Sequence, residues 1–335
     1  MPPLELNRAS ALLGENSLIT QGAGGNTSLK ESTGNTFYIK ASGKKLKNAE
    51  SENIFTKLAL DKALNWLIAD EDIFPQDWFL DSNGLRPSIE TSMHLAFKDR
   101  VVFHTHPVDV IAQTLFDDGR ENLIKTLAQF NVAYIKYIKP GRQLTQAIKQ
   151  HPLFGHTQVF ILENHGLITC GATISEVLDL TLNVTNACSK SPKGVNVFKQ
   201  PSMDLLPPSL ANSYSWAESP LIHSLSTDPH LIKLFDIPNN VLYPDQAVFF
   251  GSNSYHVSDI KEINEQMKEP CIVVKNQGVL INKENSALIE ELLLNHIEVL
   301  LRLPIDSNPR FLPQEDVNQL INWEAEKFRK QLNHE

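Results

Sequence analysis

Residues 159–184 read VFILENHGLITCGATISEVLDLTLNV: two short apolar runs meet at an Asn-x-Gly turn, and a polar break then leads into a segment of helical period. Short apolar runs bounded by such a turn form an antiparallel strand pair. The segment after it is a long helix, with Ser175 as its cap by residue type. The same order returns at 271–296, CIVVKNQGVLINKENSALIEELLLNH, where Gln277 answers His165. Two strand–turn–strand–helix units can arise without kinship, or the second can be a structural echo of the first. Either way the chain is committed to mixing strands and helices, an α/β class.

The remaining segments fill in around these units. Helical spacing covers 4–20 and 51–69, and Pro87 opens a helix over 86–98. TSLK and TFYIKAS read as strands joined by a turn at STGN, VVFHTH and NVAYIKYI as further strands, and VDVIAQTLF, ENLIKTLAQF and LTQAIKQH as short helices. Residues 190–220 are rich in Pro and Ser without periodicity. This predicts a metal-binding domain over 1–195, a linker or covering loop over 196–220 and an α/β extension over 221–335. In that extension HSLSTDPHLIKLF, DIKEINEQM and the tail LPQEDVNQLINWEAEKFRKQL read as helices, and QAVFFG as a strand.

At 335 residues the chain can bury a sizeable core. Its net charge of −9, with basic residues scattered, argues against a nucleic-acid partner. No run approaches a membrane span, and MPPLELNRASALLGENSLIT lacks the basic start and apolar core of a secretory leader. Three cysteines, widely spaced and odd in number, suit a reducing compartment and imply neither a disulfide framework nor a Cys-x-x-Cys metal site. The expected setting is the cytoplasm.

The chemistry concentrates at VVFHTHPVDV, 101–110. Side chains alternate faces along a strand, so His104 and His106 share one, with Cα atoms about 6.6 Å apart. That spacing lets two imidazoles converge on one ion, and Pro107 ends the strand so that both rings stand at its open end. His165, in a tight turn between two strands, is the candidate third ligand; three histidines with an open position form a catalytic divalent site. Glu90 is the candidate acid/base, since a bound ion acidifies a group but a proton still needs an acceptor. His94, one helical turn on, is a rival ligand that reads better as a support behind Glu90.

GAGGNTS, 22–28, is glycine-rich, but a helix precedes it and a strand follows, the reverse of a dinucleotide-binding loop. Such a loop can still offer N–H groups to an anion. Asn26, Ser42, Gly43 and Ser88, with the charge of Lys44, would then line a phosphate or carboxylate pocket; a plain tight turn is the simpler reading.

Taken in order, GGNTS (24–28), KASG (40–43), RPSIETSMH (86–94), HTHP (104–107) and ENHGLITCG (163–171) resemble the class II aldolase/adducin family, which includes the fuculose-phosphate aldolases. The resemblance covers roughly 5–190; the remainder is similar to the tail of a longer bacterial branch. It implies a three-layer fold with a central, mainly antiparallel sheet. It implies a divalent metal of the zinc type on His104, His106 and His165, with Glu90 as the catalytic carboxylate. It further implies a homo-oligomer that cleaves a sugar phosphate or sugar acid through a metal-stabilised enediolate. Asn26, Ser42, Gly43 and Ser88 match the family's phosphate-loop positions. Two departures stand out. Ile89 replaces a serine common before the carboxylate, and the proton-donating tyrosine of a neighbouring subunit has only Tyr134 and Tyr137 as loose counterparts. An epimerase or a decarboxylase of a sugar acid needs the same metal site; a non-catalytic adducin-like scaffold would be expected to lose the ligands; a zinc hydrolase lacks its usual His-Glu-x-x-His helix.

Overall fold

The computed structural model describes residues 2–69, 78–81, 84–195, 201, 206–235, 241–251, 256–264, 267–305 and 307–323. The chain divides into two units, Met1–Ser189 and Lys190–Glu335. The first is a seven-stranded sheet ordered β3-β2-β1-β4-β7-β6-β5. Its strands are β1 (Asn26–Lys30), β2 (Thr36–Lys40), β3 (Phe55–Ala59), β4 (Val101–Thr105), β5 (Ala133–Ile135), β6 (Val159–Leu162) and β7 (Gly166–Gly171). All neighbours are antiparallel except the edge pair β5–β6.

Alternation along the central strands explains the layering. Val101 and Phe103 of β4 pack with α1 (Leu4–Glu15) and α7 (Ile174–Ala187), while Val102 faces α3 (Thr91–Ala96) and α6 (Arg142–Gln150). On β6, Val159 and Ile161 join α4 (Val108–Thr114), α5 (Asp117–Thr126) and α7, and Phe160 and Leu162 take the opposite side. Helix α2 (Leu60–Ala69) covers Phe37, Ile39 and Leu58 at the β3 edge. With both faces covered, these strands read as unbroken apolar runs. The expected three-layer α/β architecture with a mainly antiparallel sheet is what forms.

The second unit holds a four-stranded sheet, β8-β11-β10-β9, from β8 (Tyr214–Trp216), β9 (His256–Val257), β10 (Cys271–Val274) and β11 (Gly278–Asn282). Its helices are α8 (Pro220–His223), α9 (Pro229–Phe235), α10 (Pro244–Phe250), α11 (Ser286–Leu301) and α12 (Gln314–Asn322). Among the described residues no helix is long and apolar enough to cross a membrane. Cys170, Cys188 and Cys271 are free and buried.

Several local expectations give way to longer-range pairing. Residues 51–69 do not form one helix: Phe55–Ala59 pairs with β2, and Thr56 is buried with its hydroxyl donating to Ile39 O at 3.1 Å. The 86–98 helix shrinks to α3, because Pro87 bridges to Ala41 and Ser88 N–H donates to Lys40 O. Thr173, not Ser175, caps α7 by accepting from Glu176 N–H. QAVFFG is helical, not extended: a proline opens α10, residues 247–250 are all buried, and a continuous apolar run suits either state. The expected 223–235 helix is interrupted, with α8 ending at His223, a single 3-10 turn at Ser224–Ser226 and α9 opening at Pro229, and 259–267 keeps only a capped single turn at Ile260–Glu262, with 265–266 outside the described residues. Within the stretch expected as linker, Tyr214–Trp216 is instead an edge strand of the second sheet. The tail beyond Trp323, including most of WEAEKFR, lies outside the described residues.

Candidate metal centre and anion loops

The site is built by register. β1 and β4 pair so that Asn26 lies opposite His104, and His104 lies opposite Ile168 on β7. The β6–β7 turn then brings His165 beside them. Asn164 takes the left-handed conformation at φ 55°, which asparagine tolerates better than most residues. Gly166 is required there, since a Cβ would sit 2.2 Å from Thr105 O. The strand ends at Thr105, earlier than the sequence suggests, and His106 N–H donates to Ile19 O, yet its ring still joins that of His104.

Three imidazoles converge. His104 Nε2 is 3.0 Å from His106 Nε2 and 3.3 Å from His165 Nε2, and all three rings are buried. His104 Nδ1 lies 3.0 Å from Leu167 O; a carbonyl only accepts, so Nδ1 carries the proton and Nε2 is left with its lone pair. Glu90, at the start of α3, completes the group. Its Oε2 is 3.5 Å from His104 Nε2, and its Oε1 is 3.7 Å from His165 Nε2. Asn26 Nδ2 donates to Oε2 at 2.8 Å, whereas Oε1 is buried and meets no hydrogen-bond donor. Burial by itself would raise the carboxyl pKa; positive charge at His104 and His165, the Asn26 hydrogen bond and positive charge at His106 lower it, so the carboxylate is favoured when positive charge stands among the rings.

This arrangement suits a divalent cation. A tetrahedral ion with Zn–N bonds of about 2.05 Å sets its nitrogen ligands about 3.3 Å apart, close to the spacing found. With His104 neutral, the positive charge that favours the carboxylate has to come from elsewhere, and a cation beside the donor-free Oε1 would supply it.

The anion-loop residues divide. Ser42 Oγ is buried without a hydrogen-bond partner, and Gly43 turns the chain at φ 77°. Ser88 Oγ accepts from Asn26 Nδ2 and from Glu90 N–H, both at 3.2 Å, so Asn26 and Ser88 are tied to Glu90. Lys44 turns outward to Glu52 Oε2 at 3.3 Å. The buried cation here is Lys40, whose ammonium donates to Ala23 O at 2.8 Å and Lys44 O at 2.6 Å, joining the glycine loop to the KASG loop. Sequence reasoning missed it, although a lysine inside the strand run TFYIKAS was the available signal. Tyr134 donates to Glu163 Oε1 at 3.0 Å, and Tyr137 N–H donates to Glu163 Oε2 at 2.9 Å, so both brace the residue before the Asn-His-Gly turn.

The family model described as Class II Aldolase and Adducin N-terminal domain matches residues 5–190. A Bacillus subtilis (strain 168) protein named "Uncharacterized oxidoreductase YuxG" is 26% identical over 197 residues, which span 54% of this chain and only 28% of that relative. Among solved structures, the N-terminal class II aldolase domain of a conserved Thermoplasma acidophilum protein is 25% identical, with a TM-score of 0.48 over 55% of this chain and 90% of that one. The L-fuculose-1-phosphate aldolase of Thermus thermophilus is 15% identical, with a TM-score of 0.37 over 55% and 89%.

Proposed function

The chain belongs to the class II aldolase and adducin family through residues 5–190, and on that premise we propose that it is a metal-dependent aldolase acting on a sugar phosphate or sugar acid. The observation that carries this reading is the cluster itself: three imidazole Nε2 atoms and the donor-free Glu90 Oε1 around one point. His104, His106 and His165 would hold the ion, zinc by its all-nitrogen set. Bound there, it would act as a Lewis acid, drawing charge onto the substrate oxygens beside the bond that breaks.

Aldol cleavage needs a proton to leave a hydroxyl, the C–C electron pair to pass to the ketone-bearing fragment, and a proton to return to that fragment. Glu90, ionised and with Oε1 facing the cluster, is the group we assign to proton movement. Ser42, Gly43 and Ser88, with Asn26 and Lys44 at their edge, are assigned to the substrate's anionic end, and Lys40 adds a buried positive charge between the loops. Ile89, where family aldolases often carry a hydroxyl, favours a carboxylate or an unphosphorylated end. An epimerase or decarboxylase of a sugar acid would use the same residues. The glycine loop leads from α1 into β1, not from a strand into a helix, so it does not form a dinucleotide-binding loop of the kind an oxidoreductase, the class in the Bacillus relative's name, could use.

We further assign residues 1–195 as the catalytic domain, 221–335 as an extension, a homo-oligomer as the working form and the cytoplasm as its setting, the last supported by three free buried cysteines. The deciding experiment is a screen of sugar phosphates and sugar acids for cleavage to two carbonyl fragments, with Zn2+, Mn2+ and Co2+ varied. We expect cleavage that chelation abolishes and one metal restores. Cleavage indifferent to chelator would refute the assignment.

A further inference from the structure

We propose that His94 is a positioning residue: as its Nε2–H tautomer it holds the Asn26 amide turned toward Glu90, and so keeps Glu90 Oε1 aimed at the three histidines. This rests on the metal-dependent reading of the cluster.

His94 is fully buried on α3, one turn beyond Glu90. Neither ring nitrogen faces the cluster as a ligand. Nδ1 lies 2.7 Å from Ser28 Oγ, and Nε2 hydrogen-bonds Asn26 Oδ1. From Asn26 the chain of contacts continues through Nδ2 to Glu90 Oε2 at 2.8 Å and Ser88 Oγ at 3.2 Å.

The contacts of Glu90, Asn26 and His94 with one another fix the protons between them. An ionised carboxylate accepts and never donates, so the amide nitrogen must be the end of Asn26 that meets Glu90. Turned over, the amide would set two acceptors against each other. Oδ1 is thereby fixed toward His94 and requires a donor, which places the ring proton on Nε2. A neutral ring then has a lone pair on Nδ1, and the Ser28 hydroxyl donates to it across 2.7 Å in preference to Val102 O, 3.4 Å away. Burial pushes the His94 pKa down to about 3, so the ring is neutral at ordinary pH.

The consequence falls on Glu90. With Oε2 held by Asn26, the oxygen left without a donor is Oε1, 3.7 Å from His165 Nε2. Removing the His94 N–H frees the amide to rotate, and the carboxylate loses the bond that fixes its plane. Partners one step removed from a metal site typically change affinity or activity by about 10- to 100-fold.

The test begins with metal-free wild-type protein labelled with 15N-histidine. Long-range 1H–15N correlations are expected to show His94 as the neutral Nε2–H tautomer at pH 7; an Nδ1–H ring overturns the proposal. Next, Co2+ is added to wild type, His94→Leu and His94→Gln. All three should bind one ion, with the visible spectrum of the Leu variant altered and that of the Gln variant close to wild type, because a glutamine amide can again donate to Asn26 Oδ1. Identical spectra for Leu and wild type overturn it. With a cleaved substrate in hand, His94→Leu should lose about 10- to 100-fold in kcat with little change in KM, and His94→Gln should recover most of it; unchanged kcat in the Leu variant overturns it. A wild type that turns over nothing defeats the aldolase reading, and the tautomer and cobalt measurements then still decide the role of His94.

Discussion

Hairpins β6–β7 and β10–β11 turn through an asparagine at almost the same angle, φ 55° at Asn164 and 57° at Asn276. Their surroundings also correspond. The first strand of each pairs in parallel with a short edge strand, β5 or β9, and the second pairs antiparallel with a further strand, β4 inside the first sheet or β8 at the edge of the second. A long helix follows each hairpin, α7 or α11. The difference lies in what fills the turn end. His104 stands opposite Ile168 in one, and Trp216 opposite Leu280 in the other. His165 is buried at the first turn, whereas Lys275 and Asn276 in the second are exposed and Gln277 is partly so. The nearby His223 is spent on the backbone, taking Val279 N–H at 3.0 Å on Nδ1 and contacting Ala217 O at 3.1 Å through Nε2. The hairpin backbone is therefore common to both, and the proposed metal site depends on His165 in the turn together with side chains brought from the ends of β4 and α3.

The sharpest way to break this contrast is to make the first hairpin resemble the second. His165→Gln should cost more than about 100-fold in metal affinity, beyond the loss of an outer partner, and abolish turnover; titration calorimetry with Zn2+ checks it. Retained stoichiometric binding would show that the histidine is dispensable.

Each unit also buries one histidine whose pKa burial pushes down to about 3, His94 in the first and His296 in the second, but only His296 stands away from the histidine cluster. His296 on α11 is fully buried, Nδ1 is 2.8 Å from the Tyr243 hydroxyl, and burial lowers its pKa to about 3. Unfolded histidine binds its proton near pH 6.5, so between about 3 and 6.5 the unfolded state holds more protons. Stability of the second unit should thus be full above pH 6.5 and fall as pH drops toward 3, by on the order of 1 kcal/mol per pH unit. Native-state hydrogen exchange of β10 and β11 amides would read this slope, and His296→Gln should flatten it.

Smaller again is the backbone term that the two turns share. Asn164→Ala and Asn276→Ala should each destabilise their own unit by about 1 kcal/mol, the cost of left-handed backbone for an ordinary residue. Unequal losses in denaturant titrations followed by exchange would show that the turns are less alike than their angles. The smallest effect is the reverse graft: Gln277→His should add no metal, because Trp216 occupies the place that His104 holds in the first unit, and metal analysis should remain at one ion per chain.

How much of this was legible in the sequence depended on distance along the chain. The Asn-x-Gly hairpins and the helices after them are local patterns, and alternation placed His104 and His106 on one face without knowledge of the fold. What escaped was set by partners far away. Phe55–Ala59 became a strand because β2 offered an edge, and α10 became a helix because its apolar run is buried on every side. Lys40 escaped for the same reason, and His94 was legible as a support behind Glu90 but not through which partners it acts. Their roles exist only once Ala23 and Lys44, or Asn26 and Ser28, have been brought beside them.

β4 sits mid-sheet, with residue 26 opposite His104 on one side and residue 168 on the other. Neither pairing can form early, because long loops must close before such contacts give any return. The histidine cluster therefore comes into being only when the sheet is zipped from both flanks. On the proposed metal reading, a nascent or misfolded chain would have no such cluster to offer, and capture of an ion would mark a molecule that has finished folding.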